Sequence, residues 1–285
     1  MRWKGQRQSS NVEDRRGKGA RIASGGGKMS VVTVVVIIVI SVVTGQNPIE
    51  LFQKVGGSNT DSLKQNTAPI SQRSATENQL AEFSKAILGS TEDAWHAEFK
   101  RRGSNYKAPG MVIFEDNVQS ACGVNSERTG PFYCPGDHKL YLALGFFKQL
   151  QSMGAPGDFA QAYVIAHEVG HHIQNILGTE KKMRQMQRSD PANKNQYLVM
   201  LELQADCYAG VWANLAQQQN NWLEEGDVEE GLQAAASIGD DTLQKNAGRR
   251  VDVESFTHGS SQQRVKWLKQ GMRTGDITQC DTFGS

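Results

Sequence analysis

The chain predicts an α+β fold, a mostly helical domain with a small sheet, preceded by one N-terminal transmembrane helix. Three observations predict it. Apolar residues recur at three- and four-residue spacing through most of the second half, and short β-branched and aromatic runs broken by turn residues cluster between positions 111 and 144. An uncharged aliphatic run lies near the N-terminus. With 285 residues and 38% hydrophobic content, the chain can bury one core of roughly 200 residues and carry appendages. No internal repeat is visible.

Residues 1–28 hold eight Lys or Arg against Glu13 and Asp14, whereas the remainder holds 23 basic and 28 acidic residues, so the net charge of +1 conceals a local excess. Residues 29–45 contain the run 30–44, free of charge and dense in valine and isoleucine, which reads as a membrane anchor in contact with lipid. Fifteen helical residues rise only about 22 Å against roughly 30 Å of hydrocarbon, so flanking residues or a thinned bilayer must make up the length. Arg15, Arg16, Lys18, Arg21 and Lys28 precede the run, which by the positive-inside rule places residues 1–28 in the cytoplasm and the bulk of the chain outside. A cleaved signal peptide is the competing reading, with Val43 and Gly45 as its small-residue site. Nucleic acid is not expected as a partner, since the basic residues lack interleaved aromatics beyond Trp3 and abut the apolar run.

Residues 46–79 read as a flexible linker, because 56–79 is rich in Gly, Ser, Asn, Thr and Gln. Order resumes near Leu80 and continues as one domain, 80–285. Leu80, Phe83, Ile87, Leu88, Trp95 and Phe99 keep helical spacing. Strands are predicted at 111–114, 132–134 and 139–144, the last two flanking the turn Pro135-Gly136-Asp137-His138. Asp158 is placed to cap a helix that presents Phe159, Tyr163, Ala166, Val169 and Ile173 on one side and ends at Gly178. A second long helix over about 193–219 carries the stripe Leu198, Leu201, Ala205, Tyr208, Trp212 and Leu215. Helical spacing returns at Val228, Leu232, Ala235 and Ile238; Gly239-Asp240-Asp241 starts a short helix, and Ser260 with Gln263 forms a capping box for the last one.

Chemistry concentrates on the two long helices. His167-Glu168-Val169-Gly170-His171 sets two imidazoles four residues apart on one side of a helix, where both reach a single Zn²⁺. Glu168 points about 100° away, outside the ligand set but placed to take a proton from an activated water. A catalytic zinc needs a third protein ligand, and Glu202 is the candidate. Asp206, one turn on, would accept the second N–H of a ligand imidazole and fix its tautomer. His172 is the rival third ligand; following His171 directly, it points the wrong way and reads instead as a residue of the pocket or one behind the ligands. Cys122 and Cys134 bracket a Gly-containing loop and form the first expected disulfide, with Cys207 and Cys280 the second. His258 stands in the turn before the last helix, from which a side chain can enter a cleft, although a turn histidine bonded to nearby backbone is the plain alternative.

The segments His167 to His171, Glu202-Leu203-Gln204-Ala205-Asp206-Cys207 and Phe256-Thr257-His258-Gly259-Ser260 resemble the bacterial neutral zinc metallopeptidase family, as do Met1-Arg2-Trp3-Lys4-Gly5 and Asn11 to Arg16. The helix-borne H-E-x-x-H with a later E-x-x-x-D also resembles, more distantly, the gluzincin class and its zincin-like domain. The resemblance implies a Zn²⁺-dependent hydrolase acting on peptide or protein substrate, with Glu168 as general base and His258, or a tyrosine, steadying the developing oxyanion. It also implies a strand before the active helix that takes up extended substrate as a further strand, for which 139–144 is the candidate. In a bacterium the anchor would lie in the inner membrane with the domain in the periplasm. The alternative from another class of function is a membrane-tethered binding or adaptor protein whose zinc is structural, and Glu168 argues against it, because a structural site has no use for a base between its histidines.

Overall fold

The computed structural model describes residues 1–17 and 74–284. The first helix, α1 (Ala75–Arg101), begins five residues before the apolar spacing starts, because Ser74 and Glu77 close a capping box ahead of it. Four strands form one sheet in the order β1-β2-β6-β5, where β1 is Val12–Asp14, β2 Gly110–Phe114, β5 Phe132–Cys134 and β6 Lys139–Ala143. β1, β2 and β6 run parallel and β5 is antiparallel to β6. The hairpin β3 (Asn117–Ser120) and β4 (Gly123–Ser126) stands apart from this sheet and is tied to β5 by the Cys122–Cys134 disulfide. β6 reads as a near-continuous hydrophobic run because it is an inner strand, buried at Leu140, Tyr141, Leu142 and Ala143.

Six helices follow: α2 (Gly145–Ser152), α3 (Asp158–Leu177), α4 (Thr179–Ser189), α5 (Lys194–Asn220), α6 (Asp227–Ser237) and α7 (Asp240–Asn246). The last is α8 (Ser261–Thr274), opened by the expected Ser260–Gln263 capping box. The fold is therefore α+β and mostly helical. α5 is the central element: from Leu203 to Ala213 every residue is buried, more than one amphipathic stripe accounts for. Two close approaches hold it. A Cβ added to Gly170 of α3 would lie 2.9 Å from the Ala205 carbonyl oxygen of α5, and one added to Gly271 of α8 would lie 1.9 Å from the Cys207 carbonyl oxygen. Glycine at both points lets the three helices touch backbone to backbone, with the Cys207–Cys280 disulfide fastening the C-terminal segment to α5.

The N-terminal residues depart from expectation. Residues 1–17 belong to the same compact unit as the helical domain rather than to a separate segment. β1 pairs with β2 through Val12↔Met111, Glu13↔Val112 and Asp14↔Ile113. Ser9 Oγ and Asn11 Nδ2 donate to Glu92 Oε1 at 2.6 and 2.7 Å, and Arg7 meets Glu92 Oε2 at 2.9 Å, so the segment satisfies a buried carboxylate of α1. The Met1 ammonium lies 3.1 Å from Asp158, the first residue of α3. Asp158 does not cap that helix; Gly157 does, with φ 111°. Residues 1–17 thus pack into the same fold as residues 74–284, a contact that the expected boundary at residue 80 did not include. The expected anchor, 29–45, and the linker up to residue 73 lie outside the described residues. Among the described residues no helix is long and apolar enough to cross a membrane.

Candidate metal centre

α3 and α5 cross at Gly170 and Ala205, and that contact brings His167, His171 and Glu202 face to face. His167 Nε2 lies 3.1 Å from Glu202 Oε2, and His171 Nε2 lies 3.5 Å from Glu202 Oε1. The three donor atoms all fall within 4.8 Å of one another. Their chemistry fits a zinc ion, since two imidazole nitrogens and one carboxylate are the protein ligands of an open catalytic site. The outer nitrogens fit as well: His167 Nδ1 is 2.8 Å from Asp206 Oδ1, and His171 Nδ1 is 2.9 Å from Gln174 Oε1. With an acceptor at each Nδ1, a proton is held there and Nε2, turned toward the shared point, is the nitrogen that a metal would take once its proton is displaced.

Asp206 is completely buried and its charge is met from three sides. Arg264 of α8 donates through Nε and Nη2 to its two oxygens at 2.9 Å each, and Tyr163 donates to Oδ1 at 2.6 Å. Burial works to raise the Asp206 pKa, but Arg264 and His167 outweigh it and hold the carboxyl below its usual range. Burial likewise opposes charge on His167, and Asp206 overcomes it, pushing the imidazole up to about 10. Glu202, desolvated but flanked by His171 and His167, sits well below the ordinary carboxylate range. In the metal-free protein the site is thus an ion-paired cluster, and a metal entering it competes with protons.

A cleft of about 630 Å³ opens onto this cluster and includes Glu168 in its lining. Gly130, Pro131, Phe132, Tyr133, Leu201 and His258 are among the residues that line it. The His258 turn is built by Asp240, whose Oδ2 accepts the backbone N–H groups of Thr257, His258 and Gly259 at 2.8, 2.6 and 3.0 Å. His258 Nδ1 is occupied by Thr257 Oγ1 at 2.9 Å and faces Asp240 Oδ1 at 3.3 Å, a hydrogen bond that raises its pKa.

One alternative drops out and one expectation is corrected. His172 is 1% exposed and outside the cluster: its Nε2 donates to the Lys107 carbonyl at 2.7 Å and its Nδ1 accepts from Tyr133 at 3.0 Å. Burial drives it down to about 4, a neutral core histidine. The segment 139–144 does not offer an edge, because β6 is paired with β2 on one side and β5 on the other. β5 is the outer strand on the β6 side of the sheet, and its residues Phe132 and Tyr133 line the cleft.

Sequence reasoning missed Arg264, Tyr163, Gln174 and Asp240 as members of the site. Tyr163 stands four residues before His167, on the same helical face, and its spacing marked it as core alone. Asp240 carried a signal read only as a helix start, and Arg264 carried none beyond its place after the capping box.

The family described as "Putative neutral zinc metallopeptidase" matches residues 1–283. The chain is 44% identical over 295 residues to the protein YpfJ of Escherichia coli strain K12, covering all of this chain and 99% of that protein. It is 39% identical over 214 residues to Mb2605 of Mycobacterium bovis, covering 71% of this chain and 72% of the relative. No solved structure matches it. A donor set that suits zinc and a match along almost the whole length agree, and the chain belongs to the neutral zinc metallopeptidase family, whose cofactor is Zn²⁺.

Proposed function

We propose that the protein is a zinc-dependent peptidase in which His167, His171 and Glu202 hold the metal and Glu168 is the general base. The observation that carries this reading is the convergence of three donor atoms on a cleft that Glu168 also lines. Zinc held there would supply Lewis acidity, polarising the scissile carbonyl and making water a stronger acid. Glu168 accepts the proton of the attacking water and delivers it to the leaving amine. His258, its Nδ1 engaged by Thr257 and Asp240, has Nε2 left to hydrogen-bond the developing oxyanion. Asp206 fixes the His167 ring. An extended substrate chain pairs with the outer edge of β5.

Glu168→Gln keeps shape and hydrogen-bonding capacity but removes the proton acceptor. Zinc content and melting temperature should match wild type while peptide cleavage falls at least on the order of a hundredfold. Equal cleavage by the variant would remove Glu168 from the chemistry. If zinc-loaded wild type cleaves neither casein nor a peptide library, the reading gives way to a tethered binding protein with a structural zinc.

The apolar run 30–44 supports membrane attachment, and two disulfides in the folded domain favour an oxidising, extracytoplasmic face. Residues 1–17 then stand outside with the domain, so the attachment is not a single crossing, against both the transmembrane and the positive-inside expectations. External protease on spheroplasts should remove tags placed on the N-terminus and on the C-terminal helix together. Loss of only one tag would return the two ends to opposite sides.

A further inference from the structure

His171 owes its orientation to a chain of amides that reaches the C-terminal segment. Gln174, one turn on in α3, is 1% exposed. Its Nε2 donates to the Leu201 carbonyl at 2.6 Å and faces Gln204 Oε1 at 3.2 Å. Both of those partners are acceptors, so the amide cannot be turned over, and its oxygen must face His171 Nδ1 at 2.9 Å. Gln204 is fixed in the same way, because its own Nε2 donates to the Cys280 carbonyl at 2.9 Å. Cys280 is fully buried and bonded to Cys207, three residues along α5 from Gln204, so this last acceptor is held covalently to the helix that carries Glu202. Each amide along the path has one orientation, and the links from Gln174 to Leu201, Gln204 and Cys280 are buried.

We propose that Gln174 and Gln204 are positioning residues, an amide relay that sets the tautomer and ring angle of His171 and is anchored by the Cys207–Cys280 bridge. The relay rests on the assignment of His171 as a zinc ligand. An acceptor at Nδ1 places the proton there and leaves Nε2 as the donor to metal, and loss of such outer partners weakens metal binding by about ten- to a hundredfold. Because the acceptor is a neutral amide, the relay selects orientation and adds no charge.

The test is zinc affinity by chelator competition on the full chain. Gln174→Met has nearly the same volume and no hydrogen-bonding groups. It should bind zinc about tenfold more weakly, with the His171 Nδ1 proton, protected from exchange in the zinc-bound wild type, exchanging freely by NMR. Gln204→Met, one link further out, should weaken zinc a few-fold in the same direction, and carries the test if the first variant fails to fold. His171→Ala separates the two readings. If it keeps stoichiometric zinc, the ligand assignment is wrong; if it loses zinc while both methionine variants bind as tightly as wild type, the relay is overturned. A loss of melting temperature in the methionine variants with unchanged zinc affinity also overturns it, since that is what mere core packing would give.

Discussion

The two histidines of the centre sit one turn apart on one helix and face the same carboxylate, yet their outer surroundings differ in kind. His167 leans on Asp206, a buried anion clamped by Arg264 and Tyr163, whereas His171 leans on Gln174, a neutral amide. The ionic side can alter the basicity of its imidazole as well as its direction; the amide side can only direct. An ionic arm also couples the site to stability, because a buried charge that loses its partner is costly, while a broken amide link forfeits one modest hydrogen bond. His167 is therefore tied to the folding of the whole domain through α8, and His171 to the local geometry of α3 and α5.

The largest effect that follows is Arg264→Met. It strands Asp206 in the interior and should cost about 3–5 kcal/mol of unfolding free energy, read from urea titration of metal-free protein. A variant as stable as wild type would show that the ionic arm is no more than an orienting device, and the contrast with the amide arm would collapse.

Asp206→Asn comes next. It keeps an acceptor for His167 Nδ1 but removes the charge, so zinc should bind about a hundredfold more weakly, at the upper end for an outer partner and beyond the loss expected at Gln174. Equal losses at Asp206 and Gln174 would mean that charge contributes nothing beyond direction.

A third effect is a dependence on pH. In the metal-free protein the His167 pKa stands raised from 6.5 to about 10, so its protonated form contributes stability that is full below about 6.5 and lost as pH rises through about 10. Zinc must displace that proton, and its affinity therefore rises across the same window. The gap between the melting temperatures of zinc-saturated and metal-free protein should widen steadily as pH is raised from about 6.5 toward 10. A constant gap would mean that His167 is not protonated in the metal-free state and that Asp206 does not raise its basicity.

Much of this arrangement was legible from local pattern. Spacing alone set His167 and His171 on one helical face and placed Glu202 and Asp206 one turn apart on another helix, because side-chain direction on a helix repeats every 3.6 residues whatever surrounds it. Capping chemistry marked Ser260 as the start of the last helix, and the two disulfide pairings fell where expected. Composition did not foresee contact. Arg7 entered the sequence reading only as part of the basic excess of residues 1–28, and Arg16 also as one of the cluster before the apolar run. The fold uses them to meet Glu92 and Asp14.

The sequence by itself determined the elements and the ligand chemistry, since caps, helical period and the donor atoms of His, Glu and Asp are properties of neighbouring residues. Only the tertiary structure decided which elements meet. That β5 and not β6 is the sheet edge, that Arg264 arrives from α8 to neutralise Asp206, and that Gln174 rather than a carboxylate backs His171 all depend on residues distant in the chain. The physical reason is the close approach of backbones at Gly170 and Gly271, which fixes how the three helices pack and so selects the partner of every buried polar group at their crossing.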